Sequence, residues 1–98
     1  MEHNIPDIYE LLTGRSFKNA VFGERAQLRD ASGDEELPEV IRKMPLGSEV
    51  YLRDESILVR FNSSAMGLRT DGTKLYAGRV PVGLKKMWED FVDKHRIP

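Results

Sequence analysis

Six residues of this 98-residue chain carry the chemistry that its spacing groups together: Tyr51, Arg53, Arg60, Arg69, Lys74 and Tyr76. They sit at the polar positions of four short segments in which polar and apolar residues alternate. Successive side chains of a strand point to opposite faces. The alternation therefore gathers Val50, Leu52, Ile57, Val59, Phe61, Met66, Leu68, Leu75 and Ala77 on one face of an antiparallel sheet, and the Arg, Lys and Tyr residues on the other. Rings interleaved with guanidinium groups can meet an acidic protein surface. They can also stack bases of single-stranded nucleic acid while the cations meet phosphates.

Other constellations carry less. Gly78 and Gly83 (GRVPVG) have the outer spacing of a phosphate-binding loop, but Leu84 stands where the lysine is needed and Pro81 removes an amide donor. What is left is a candidate site for a lone anion at a helix start, made of Arg79, Lys85 and Lys86. The acidic run Asp30–Glu36 (DASGDEE) has the composition of a calcium loop without its spacing or terminal Glu, and reads as a solvated loop. His3 falls in a terminus expected to fray and His95 near the end of the last helix, so no metal site is assigned. Ser63 and Ser64 lack a nucleophile elbow, and the acids Glu89, Asp90 and Asp93 fall in a stretch where Lys85–Glu89, Lys86–Asp90 and Asp90–Lys94 stand four apart, as on a salt-bridged helix face. No catalytic residue and no cofactor is assigned. An enzyme would need a composite site assembled from Arg, Tyr and carboxylates across the fold.

Composition bounds the partners. The net charge of −1 hides a split: residues 1–41 hold four basic and nine acidic residues, a net −5, whereas residues 42–98 hold eleven and seven, a net +4. The basic half suits an anionic or acidic partner. A pI of about 6.1 is low for a dedicated nucleic-acid binder. No RNP-type aromatic pattern, Gly-x-x-Gly loop or zinc knuckle is present. The chain has no Cys, which fits a reducing compartment, no apolar run approaching a membrane span, and no basic-then-apolar leader. These features lead to the expectation of a cytoplasmic protein with no membrane association.

The elements that must position the six residues follow from periodicity. The alternation predicts an α+β fold with a four-stranded antiparallel meander over about 48–53, 57–62, 66–70 and 74–79. Asp71-Gly72 between the last two strands predicts a two-residue type I′ turn. Leu84, Met87, Trp88, Phe91 and His95 recur at spacings of three and four, which predicts a helix over about 82–96 packed on the apolar face. Pro6 to Thr13 reads as a short helix stopped by Gly14, and Pro38 to Met44 as two helical turns. Phe17–Phe22 and Arg25–Arg29 suggest an extra hairpin within 17–29, turning at Gly23-Glu24. Residues 1–98 are taken as one domain.

The function expected on this reading is that of a small non-enzymatic binding module of the inhibitor, immunity or adaptor type. It would act on a protein partner through Tyr51, Arg53, Arg60, Arg69, Lys74 and Tyr76. A single-stranded nucleic-acid-binding domain is the alternative, and a small enzyme with a composite site the second.

Overall fold

The computed structural model describes residues 3–31 and 33–97. In chain order the elements are α1 (Ile5–Thr13), a single 3-10 turn (Phe17–Asn19), β1 (Arg25–Gln27), α2 (Glu39–Lys43), β2 (Glu49–Arg53), β3 (Ser56–Phe61), β4 (Ser64–Arg69), β5 (Lys74–Ala77) and α3 (Val82–Asp93). The strands form one antiparallel sheet in the order β1-β2-β3-β4-β5. The fold is α+β as expected, with five strands in place of four.

Local chemistry sets the helix ends. The Asn4 side chain accepts a hydrogen bond from the Asp7 amide at 3.2 Å, and Pro6 sits in the first turn of α1, where its missing N–H costs nothing. Gly14 closes the helix with φ 71°, a conformation open to glycine, and donates its N–H to Glu10 O at 2.9 Å. Helix α3 starts after Pro81 and buries Leu84, Trp88, Phe91 and Val92. It ends at Asp93, short of the predicted residue 96. The chain leaves the helix there to meet the N-terminus: the Asn4 amide donates to His95 O at 2.6 Å, and His3 forms a β-bridge with Arg96. His3 is accordingly buried, which corrects the expectation that this residue lies in a frayed stretch.

Residues paired across antiparallel strands share a face. Val50 opposes Val59, Leu52 opposes Ile57, Val59 opposes Met66 and Ile57 opposes Leu68, and all of these are buried. Helix α1 lies over β2 and β3, α3 over β4, and α2 against α3. The helices and this inner face share one hydrophobic cluster. Trp88 sits in it fully buried and donates its indole N–H to Gly67 O at 3.1 Å. At Gly67 the backbones and Leu58 approach so closely that a Cβ would stand 2.5 Å from Ile57 O and from Leu58 Cδ2. Only glycine fits there.

Two expectations are corrected by strand pairing. A two-residue Asp-Gly turn would pair Thr70 with Thr73, and so Leu68 with Leu75 and Met66 with Ala77. Instead Leu68 opposes Lys74 and Met66 opposes Tyr76. The Arg69 amide donates to Thr73 O, and the Gly72 amide to Arg69 O, both at 2.9 Å. Gly72 is left-handed at φ 95° and Asp71 is not, the signature of a three-residue loop ending in a bulge. One extra loop residue flips every side chain of the following strand. Lys74 and Tyr76 therefore point to the helix-covered face, and Leu75 and Ala77 to the open one. The second correction concerns residues 17–29, which form no hairpin: β1 pairs with β2, Ala26 opposite Val50, while Phe17 stacks edge-on between Tyr9 and Phe22. The acidic stretch 30–36 has no helix or strand among its described residues, and its Ser32 lies outside them.

Candidate functional site

The open face of the sheet can be built row by row from the pairing. One row holds Glu49, Arg60, Ala65 and Ala77; the next holds Arg25, Tyr51, Leu58, Gly67 and Leu75; the third holds Arg53, Ser56 and Arg69. Tyr51, Leu58 and Leu75 are half-buried and make an apolar stripe across four strands, with Gly67 buried between the two leucines against the Leu58 side chain. Arginines border the stripe on both sides. Arg53, Arg60 and Arg69 are exposed, as the alternation requires.

Acids temper the charge of this face. Arg25 pairs with Glu49 at 3.4 Å and Arg69 with Glu55 at 3.6 Å, and at such exposure each pair contributes little to stability. Arg60 lies over the Tyr51 ring with Cζ 5.9 Å from its centroid, inside cation–π range. Arg53 forms no ion pair among the described residues. Toward the Asp54-Glu55 turn the face is hollowed into an open concavity of about 640 Å³, whose lining includes Phe22, Arg53, Ser56, Arg69 and Leu75. Its apolar edge is extended by Phe22, 51 % exposed.

Lys74 and Tyr76 do not belong to this surface. The Tyr76 hydroxyl donates to Glu89 Oε2 at 2.6 Å, and Lys85 Nζ lies 4.5 Å from the ring centroid. Burial, then the hydrogen bond to Glu89 and that residue's charge, push the phenol above its ordinary range, so it stays a donor at every physiological pH. Lys74 Nζ meets Asp93 Oδ1 at 3.2 Å, and Arg96 Nη2 meets the same oxygen at 3.2 Å. Burial opposes ionisation of Asp93, but hydrogen bonds and charge from Lys74 and Arg96 outweigh it and hold the carboxyl below its ordinary range. The two residues fasten β5 to α3. Their role is in the fold.

The second predicted cluster is also divided. Lys85 covers Tyr76, Lys86 is exposed on α3, and Arg79 lines a separate pocket with Lys43. Both histidines lie where the termini meet. His3 Nε2 is 3.6 Å from Asp93 Oδ1, too long for a hydrogen bond, and neither of its ring nitrogens is hydrogen-bonded. Among the described residues no group of three or more His, Cys, Asp or Glu is disposed to hold a metal ion. No helix among them is long and apolar enough to cross a membrane. Comparison with family models, with curated proteins and with solved structures gave no match.

Proposed function

We propose that this chain is a non-enzymatic binding module, of the inhibitor, immunity or adaptor type, that engages an acidic protein partner in the cytoplasm through the open sheet face. One observation carries the reading: the half-buried stripe Tyr51–Leu58–Leu75 is bordered by Arg53, Arg60 and Arg69, and among the described residues the helices share their core with the opposite face of the sheet. An apolar centre with a charged rim is how protein interfaces divide affinity from specificity. Single-stranded nucleic acid is less well served. The strands put one tyrosine on this face, and Glu49 and Glu55 stand among the arginines, where they repel phosphates.

The test is affinity purification from the native host with the wild-type chain, the triple variant Arg53→Ala/Arg60→Ala/Arg69→Ala, and the control Lys86→Ala/Asp90→Ala. The wild type and the control are expected to recover a discrete protein that the triple variant loses, with thermal stability unchanged. Recovery of the same protein by all three removes the sheet face as the site. Recovery of nucleic acid, lost steeply with added salt, replaces the protein reading with the alternative.

A further inference from the structure

At the opposite end of the strands from Arg53 and Arg69, the Asn62-Ser63 turn between β3 and β4 closes over a second hollow, of about 280 Å³. Its floor is Phe61, Leu84 and Met87, and Pro45 and Pro81 form its walls. Lys43 and Arg79 stand at its sides, and neither makes an ion pair among the described residues. No Asp or Glu lines it, in contrast to the concavity on the sheet face. Apolar floor and unpaired cations therefore coincide in one place.

The hollow is held in shape by its own backbone. Ser64 Oγ donates to Arg79 O at 3.0 Å, and Gly78 is packed so that a Cβ would stand 2.5 Å from Ser63 O. Arg79 is thereby fixed beside the hairpin, while the flexible thioether of Met87 can adapt to what enters. The apolar surface continues outside. Leu46 follows Pro45 and is 90 % exposed; Val82 follows Pro81 and is 84 % exposed. Exposed apolar residues flanking a pocket mark a surface that a larger partner covers. The volume is also below the roughly 300–1,000 Å³ of sites that enclose a drug-sized molecule. It suits one large side chain, the anchor of a hot spot.

We propose that this pocket docks an acidic segment of a partner protein, taking one large apolar side chain onto Phe61, Leu84 and Met87 and setting the neighbouring carboxylates on Lys43 and Arg79. The site is separate from the sheet face and stands or falls without it.

The probe is a capped pentapeptide with one central Phe flanked by two Glu on each side, titrated into the full isotope-labelled chain and followed by NMR shift changes. The largest changes are expected at Phe61, Ser64, Leu84 and Met87. Lys43→Ala/Arg79→Ala should weaken binding at least about tenfold with an unchanged melting temperature, as loss of a charged anchor does. Replacing the Phe of the peptide by Ala should abolish saturation. Four results overturn the proposal: no binding of the probe, equal binding of the Ala peptide, shifts centred on Arg53 and Arg69, or phenylacetate binding as tightly as the peptide. The last would make the pocket a small-molecule site.

Discussion

The hairpins β2–β3 and β4–β5 start from the same alternation of apolar and polar residues and end with opposite outcomes. In β2–β3 the Asp54-Glu55 turn leaves the pairing in step, and Val50, Leu52, Ile57 and Val59 all face the core. In β4–β5 the loop Thr70-Asp71-Gly72 carries one more residue, and Lys74 and Tyr76 exchange faces with Leu75 and Ala77. Alternation assigns residues to two faces but not each face to a side. That second assignment belongs to the loop, and a single residue decides it. The consequence for function is direct: the open face loses a tyrosine and a lysine and acquires Leu75, which changes a basic aromatic surface into an apolar stripe with an arginine border.

The largest expected effect comes from the residue that holds α3 over the β4–β5 half. Trp88→Ala should cost about 3–5 kcal/mol in denaturant unfolding, a large share of a small domain's stability. Trp88→Phe, which keeps an aromatic ring but removes the indole N–H donated to Gly67 O, should cost about 1–3 kcal/mol. Hydrogen exchange in Trp88→Phe is expected to accelerate in β4 and β5 before β2 and β3, which α1 covers. Uniform acceleration would mean that the two halves open as one unit.

A smaller effect sharpens the same contrast through the two tyrosines that alternation alone assigns to one face. Tyr76→Phe removes the short hydrogen bond to Glu89 and should destabilise by about 1 kcal/mol. Tyr51→Phe removes only a 3.5 Å contact to Glu49 and should stay within about 0.5 kcal/mol of wild type. Equal costs would place both hydroxyls in equivalent surroundings, contrary to the register of β5.

The smallest effect is a pH dependence where the termini meet. His95 packs edge-on against Phe91 with ring centroids 5.1 Å apart, and burial holds its pKa below the ordinary 6.5. The unfolded chain therefore binds a proton at this residue more readily than the folded one. The contribution of neutral His95 is fully present above about pH 6.5 and is lost as the pH falls from there through the lower folded value. His95→Phe, which keeps the ring contact, should flatten that part of the pH–stability curve.

Much of the fold was legible because its signals are periodic. The stripe Leu84, Trp88, Phe91 located α3, Pro6 and Gly14 bracketed α1, and the alternation in β2 and β3 gave their inner and outer faces. Apart from the β4–β5 loop, the parts that escaped depend on partners distant in the chain. Three residues of β1 show no period and are defined by pairing with β2. Gly67 reads as a weak strand residue, and nothing local tells that Leu58 and the Trp88 hydrogen bond meet there. Of the expected binding surface, Tyr51, Arg53, Arg60 and Arg69 lie on one face, and Lys74 and Tyr76 do not. The pocket between Lys43 and Arg79 is assembled from α2, a hairpin turn and α3, which only the folded chain brings together.

Site-specific photo-crosslinking in the native host tests most directly whether the open sheet face is the working surface. A benzophenone amino acid at Leu58, in the centre of the stripe, should capture a discrete protein partner, and the same group at Lys86 on the outer side of α3 should not. Capture at Lys86 with none at Leu58, or capture of nucleic acid at Leu58, would contradict it.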